Sequence, residues 1–171
     1  MIKIKIATKT DTEVLALLGR LTWAESHGHY IKDKNDVLKY LNENFSVSKT
    51  KQNISDPKQI FYIIYTDDLP VGYAKLVVNA TNESITSQNS CQLERIFILN
   101  DFIPLKIGQR LLTFVEEHAK KLQLDTIWLT VYIKNNRAIR FYERNEFINV
   151  GELNFIVNGK GYKNIVFSKN I

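Results

Sequence analysis

The stretch from Gln92 to Ile133 constrains this chain most, because one amphipathic helical pattern there is bracketed by two β-rich runs. Ile107, Leu111, Leu112, Val115, Ala119 and Leu122 recur at the spacing of a single helix face, which predicts a helix over Ile107–Leu122. Glu116 with Lys120, and Glu117 with Lys121, stand four residues apart in the orientation that supports a helix. Gln92–Leu99 and Thr126–Ile133 carry the β-branched and aromatic residues of strands. A strand, a long helix and a strand in that order imply a crossover joining parallel neighbours in a mixed sheet. Ligands of such sheets gather beyond the carboxyl ends of the strands.

The flanking sequence extends this pattern. Ile2, Ile4 and Ile6 alternate with lysines, as in an edge strand with one buried face. Thr10 and Glu13 have capping-box spacing, and the helix after them would turn Val14, Leu15, Leu17, Leu18 and Leu21 inward and end near Gly28. A second helix begins at Asn35 or Asp36, with Val37, Leu38, Leu41 and Phe45 at helical spacing. The polar stretch Ser46–Lys58 has room for a short helix. Ile60–Tyr65 and Val71–Asn79 form a hairpin about Asp67, Asp68 and Pro70, and Asn79–Asn89 reads as a loop. After Ile133 come a short helix over Asn135–Arg144, a strand over Phe147–Val157, a turn at Asn158-Gly159-Lys160-Gly161 and a last strand over Tyr162–Ser168. No repeat is visible, and residues 1–171 read as one mixed α/β domain.

Composition excludes several classes. Hydrophobic residues make up 44% and charged residues 24%, the balance of a globular protein. No apolar run is long enough to span a bilayer, and Met1–Thr10 reads as a strand rather than a leader, so a cytoplasmic protein with no membrane partner is expected. Cys91 is the only cysteine, which excludes an internal disulfide and a cysteine-rich metal site. His27 and His29 have no third ligand at recognisable spacing, so no metal is expected. Nothing near Cys91 marks it for activation as a covalent acyl carrier. The net charge of +5 is spread along the chain. It admits a phosphorylated cofactor, and without a basic cluster no nucleic-acid partner is expected.

Two segments carry a family resemblance. Leu93-Glu94-Arg95-Ile96-Phe97-Ile98, followed by a loop and by Ile107-Gly108 opening a helix, resembles the central cofactor motif of the GNAT acetyltransferases. Asn135-Asn136-Arg137-Ala138-Ile139-Arg140-Phe141-Tyr142-Glu143-Arg144, then Phe147, resembles that family's second strong motif. The order of the two, and the helix and strand between them, also match. The Leu93–Ile96 strand, Ile127-Trp128-Leu129 and the early Tyr40-Leu41 helix look most like the Pai-type spermidine and spermine acetyltransferases. The chain departs from the family at two glycines. Where the phosphate loop usually reads Gln/Arg-x-x-Gly-x-Gly/Ala, this chain has Ile103, Pro104, Leu105, Lys106, Ile107 and Gly108, and Glu146 stands where a glycine usually precedes Phe147.

The resemblance implies a mostly antiparallel twisted sheet with helices on both faces and a splayed parallel strand pair in its centre. It implies N-acetyl transfer from acetyl-CoA to a small primary amine, a polyamine among the candidates. Ile103 to Gly108, with Gln109, would meet the pyrophosphate at a helix N-terminus. Backbone groups of Ile96, Phe97 and Ile98 would bond pantetheine like an added strand, with Asn135 orienting it and Arg144 near the phosphates. Asn135 reads equally as a helix N-cap, and Arg144 as a solvent-facing charge. Lys106 would carry strain of about 1–2 kcal/mol if its site requires a positive φ.

Tyr142 is the candidate general acid, because negative charge develops on sulfur as the amine attacks the thioester. A thiol titrates near about 8.5 and a phenol near about 10, so a strengthening hydrogen bond suits the step better than early proton loss. Glu94 is the candidate base or cation-binding group. A carboxylate at about 4.3 takes a proton from an ammonium at about 10.4 only with help from burial or a water relay. Trp23, His27 and Tyr30 lie in the region that lines the acceptor site in this family, although core packing explains Trp23 as well. Two alternatives stay open: a non-catalytic CoA-binding or interaction domain, and an acetyltransferase of protein N-termini or lysines. Homodimerisation is also an open expectation.

Overall fold

A computed structural model describes residues 1–171. The elements run β1 (Ile2–Ile6), α1 (Thr12–His27), α2 (Lys34–Asn44), α3 (Val47–Ser55), β2 (Gln59–Thr66), β3 (Leu69–Val78), β4 (Ser90–Ile98), α4 (Ile107–Lys121), β5 (Thr126–Tyr132), α5 (Asn136–Arg144), β6 (Ile148–Val157) and β7 (Lys160–Asn170). The strands follow the order β1-β2-β3-β4-β5-β7-β6 in one mixed sheet whose parallel pair is β4 with β5. The chain forms two compact units, one of residues 1–76 and 95–115, the other of residues 77–94 and 116–171.

In the first unit β1 pairs antiparallel with β2, from Ile2 opposite Thr66 to Ile6 opposite Tyr62. The β2–β3 hairpin turns on Asp67 and Asp68, with φ of 47° and 64°. Two positive φ values define the tight turn that matches strand twist, and Asp tolerates them better than most residues. The capping box is Thr8 with Asp11 rather than Thr10 with Glu13. The Asp11 carboxylate accepts the Thr8 backbone N–H at 2.9 Å and pairs with Lys5 at 2.7 Å, which fixes the box two residues early.

The buried face of α1 is also rotated from the leucine pattern. Leu15, Leu18, Ala16, Gly19, Thr22 and Trp23 are buried, whereas Leu17 and Leu21 are 59% and 46% exposed. The reason lies at Gly19, where an added Cβ would sit 2.4 Å from the Phe45 ring. Phe45 presses on the face that holds Gly19, and Leu17 and Leu21 fall on the outward side. On α2, Leu41 is buried and Leu38 is 53% exposed. Ser46 caps α3 through Lys49 N–H at 3.2 Å, so a helix does occupy the polar stretch. Ile6, at the end of the edge strand, is also exposed.

In the second unit the parallel ladder runs only from Ser90 opposite Thr126 to Gln92 opposite Trp128. On its other side β5 pairs along its whole length with β7, from Thr126 opposite Asn170 to Tyr132 opposite Asn164. β6 pairs with β7 with a register shift between Asn149 and Gly151, and the strands join through Asn158 and Gly159 at φ 48° and 78°. The Trp128 indole N–H and the Ser90 hydroxyl both donate to Ala80 O at 2.8 Å, which ties the loop after β3 to the unit.

On α4, Ile107, Leu111, Leu112, Val115 and Ala119 are fully buried as the pattern requires. Leu122 instead lies past the helix end and is 41% exposed, because Gln123 turns left-handed at φ 63° and Leu124 becomes the buried residue. Glu116 pairs with Lys169 of β7 at 3.0 Å, a partner far along the chain.

Candidate active site

The turn ahead of α4 is a 3-10 segment over Asn100–Leu105 that contains Pro104. Its entry is held by Glu25, whose Oε2 accepts the Asn100 N–H at 2.9 Å. Its exit is Lys106, left-handed at φ 55° and ψ 22°, with its N–H donating to Ile103 O at 3.0 Å. The position does need a positive φ, and lysine carries there the strain of about 1–2 kcal/mol that glycine would avoid. Pro104, Leu105 and Lys106 are exposed, Ile103 is half-buried, and Ile107 is an anchor with no exposed surface.

At Gly108 an added Cβ would lie 3.7 Å from Ile98, an ordinary contact, so this glycine keeps backbone open rather than relieving a clash. The Gln109 N–H reaches Lys106 O at 3.3 Å. The first turn of α4 has no acidic residue, and Lys106 and Arg110 stand exposed four residues apart. Two cations at the positive end of a helix repel each other and the dipole, and an anion relieves both effects. The turn therefore fits a phosphorylated ligand. Arg110 was legible as a second cation one turn on, but the motif alone did not single it out.

On β4, Ile96, Phe97 and Ile98 are half-buried and Glu94 is exposed. Leu99 N–H donates to Val71 O at 2.9 Å. Gly72 of β3 allows that approach: a Cβ there would lie 2.5 Å from both Phe97 O and Ile98 Cδ1. Sequence reasoning passed over Gly72, although a glycine inside a strand signals close backbone approach.

The end of α1 is aromatic. Trp23 stacks with His27 at 5.4 Å and with Tyr40 at 4.3 Å, and His27 meets Phe97 edge-on at 5.7 Å. Phe45 lies 6.4 Å from Trp23 and carries the Arg95 guanidinium over its ring at 4.5 Å. Of the expected acceptor residues, Trp23 is thus a buried member of a stack, and His27 is half-buried beside the cofactor-motif residue Phe97. Tyr30 is half-buried, with its ring 3.9 Å from that of His29. Burial, assisted by the charge of His29, pushes the His27 imidazole down to about 4, so it is neutral near pH 7. Tyr40, Phe45 and Arg95 complete the cluster; their spacing in sequence gave no sign of it.

In α5, Asn135 is the N-cap, its Oδ1 accepting the Ala138 N–H at 3.1 Å. Tyr142 is buried, with Phe141, Phe147 and Phe167 ring centroids at 5.3, 5.5 and 6.3 Å. Burial raises its phenol above the ordinary range, so the hydroxyl keeps its proton and is able to donate it to a hydrogen bond. Phe147 N–H donates to Tyr142 O and Glu146 N–H to Glu143 O, each at 3.1 Å, which closes the helix in a Schellman motif. Glu146 takes the left-handed position at φ 66° where glycine is usual. Arg144 is exposed. Cys91 is buried, its thiol pushed up to about 12 chiefly by burial and further by Asp125.

The family model of the acetyltransferase (GNAT) family matches residues 21–147. The chain belongs to that family, and it is an acetyl-CoA-dependent N-acetyltransferase. It is 27% identical over 158 residues to the uncharacterized N-acetyltransferase in the pepI 3′ region of Lactobacillus delbrueckii subsp. lactis, covering 91% of this chain and 90% of that protein. Its fold is similar to the PaiA N-acetyltransferase of Thermoplasma acidophilum, solved in complex with coenzyme A, with a TM-score of 0.77 and 21% identity over 100% of this chain and 99% of that one. It is also similar to the ribosomal-protein-S18-alanine N-acetyltransferase of Escherichia coli, with a TM-score of 0.70 and 16% identity over 100% and 94% of the two chains.

Proposed function

We propose that this protein moves the acetyl group of acetyl-CoA to a primary amine by direct attack, with a polyamine as the acceptor class. The direct route rests on Cys91. Its thiol is the one side chain in the sequence able to take the acetyl group by thioester exchange, and it is buried, protonated and bonded to Thr126 O at 3.5 Å. The polyamine class rests on the fold shared with the PaiA enzyme and on the Pai-like segments of the sequence.

Acetyl-CoA supplies the activated acyl group and a thiol leaving group. Lys106 and the N-terminal N–H groups of α4 would hold its phosphates, with Gly108 leaving the backbone open. Backbone groups of Ile96 and Ile98, in the part of β4 beyond the short parallel ladder, would bind pantetheine as a strand does. Asn135, already the cap of α5, holds the start of the helix that carries Tyr142. Tyr142 donates a hydrogen bond to sulfur as charge builds there; its raised phenol makes full proton loss less favourable than in water. Exposed Glu94 serves as a cation-binding group, or as the first acceptor of a water relay that removes the amine's proton after attack.

Thiol release from acetyl-CoA, followed against spermidine, spermine, amino acids, aminoglycosides and peptides, tests this reading. Release that depends on spermidine or spermine is the expected result. Release only with a peptide bearing a free N-terminus moves the acceptor to proteins. Acetyl-CoA binding without release for any amine overturns the reaction.

A further inference from the structure

Gly72 stands inside β3, where a glycine weakens the strand unless a neighbour needs the room. The neighbour here is a backbone carbonyl. A Cβ at Gly72 would lie 2.5 Å from Phe97 O and 3.1 Å from Ile98 Cα, and neither atom can rotate aside as a side chain would. An ordinary C···O separation is about 3.3 Å, so a side chain at this position would push the carbonyl by roughly 0.8 Å. Phe97 C=O therefore points at β3. The Phe97–Ile98 peptide is trans, so the N–H at its other end, which belongs to Ile98, points the opposite way. One residue on, Leu99 N–H donates to Val71 O at 2.9 Å. That peptide is trans as well, so Ile98 C=O also faces away from β3. Both polar backbone groups of Ile98 thus turn to the edge of β4 that β3 does not cover, and the parallel ladder on that edge ends at Gln92. The Ile98 side chain meanwhile lies toward the start of α4, its Cγ1 3.7 Å from where a Cβ on Gly108 would be.

We infer that Gly72 is a positioning residue for the cofactor: by leaving room for the Phe97 carbonyl, it keeps the N–H and C=O of Ile98 aimed at pantetheine. This rests on the reading above that pantetheine pairs with β4. A strand-like ligand exchanges a donor and an acceptor with one residue of the edge it joins, and Ile98 presents both. The peptide plane is rigid, so a methyl group at residue 72 that displaces Phe97 O also turns Ile98 N–H out of line. Gly72 acts only through the far end of that plane and itself meets β4 on the side opposite the ligand edge. The loss on substitution therefore falls on the cofactor rather than on the amine.

Calorimetric titration of the intact protein with CoA tests this without turnover. Gly72→Ala should raise Kd for CoA roughly tenfold and KM for acetyl-CoA in step, while KM for spermidine stays within about twofold. An unchanged Kd contradicts the inference. Adding Ile98→Val to Gly72→Ala removes the side-chain half of the clash, Ile98 Cδ1 at 2.5 Å, and leaves the carbonyl half, so the binding loss should persist. Recovery of wild-type affinity in the double variant would trace the effect to the side chain and overturn the peptide-plane account. Two-dimensional 1H–15N NMR of the wild-type protein reads the N–H itself, and decides the matter even where Gly72→Ala does not fold. The Ile98 amide proton should shift downfield on saturation with CoA. Bound CoA that moves the Ile96 amide and leaves Ile98 in place sinks this inference alone. Bound CoA that moves neither removes pantetheine from β4, and the reading beneath the inference falls with it.

Discussion

The turn ahead of α4 and the turn after α5 share one irregularity and differ in everything around it. Each holds a charged residue, Lys106 or Glu146, in the left-handed region that glycine occupies at least cost. At Glu146 the geometry is fully accounted for by the helix end: two backbone hydrogen bonds close a Schellman motif, and the carboxylate has Lys169 at 3.6 Å. At Lys106 the same backbone angle sits in an exposed turn, followed by a helix whose start carries another cation and no acid. Strain of similar size therefore has a local structural reason in one place and, on the proposed reading, a charge for the cofactor phosphates in the other. A strained position by itself does not report function; what its side chain faces does.

The largest effect separating the two regions belongs to Tyr142, which precedes the Glu146 turn. Tyr142→Phe should lower kcat by about 10²-fold or more and leave KM for acetyl-CoA within about twofold. Unchanged turnover removes the phenol from the reaction. At Lys106, replacement by glycine should raise KM for acetyl-CoA by roughly threefold to fivefold, in line with one lost exposed phosphate contact. The same change should raise stability by about 1 kcal/mol through relief of the left-handed strain. Lys106→Ala should show the kinetic loss without the stability gain. Were Lys106→Gly kinetically silent, the two turns would be alike and the charge at Lys106 incidental.

Glu146→Gly is the quieter counterpart. It should raise Tm by about 2–4 °C with kinetic constants unchanged, because an exposed ion pair contributes little. The smallest effect is an alkaline one. The phenol of Tyr142 is raised in the folded state, so its contribution is complete below the unfolded value of about 10 and declines as pH rises beyond it. Denaturant midpoints measured above pH 10 should fall less steeply in Tyr142→Phe than in the parent.

Much of this was readable from the amino-acid order, and the failures have physical causes. The crossover and the helices and strands of both motif segments follow from periodicity and turn chemistry, which are local, whereas the polar stretch before β2 showed only room for the short helix found there. The rotation of α1 was not readable, because Gly19 faces inward only on account of Phe45, a residue of the next helix boundary. The Thr8–Asp11 box displaced the Thr10–Glu13 spacing because Lys5 reaches Asp11 from β1. Glu116 met Lys169 for the same kind of reason, a long-range partner that a four-residue rule cannot see. Tyr142, Asn135 and His27 entered as candidates through the family resemblance of their segments. The supporting groups, Gly72 beneath Phe97 and Tyr40 against Trp23, are set by the packing of distant segments.

Initial velocities measured with acetyl-CoA and spermidine varied together put the central claim, one-step transfer with both substrates bound, to the most direct test. The account predicts double-reciprocal lines that intersect, since the amine must be present before the thioester is broken. Parallel lines, with thiol released by acetyl-CoA before any amine is added, would mean an acetylated protein intermediate and would contradict it.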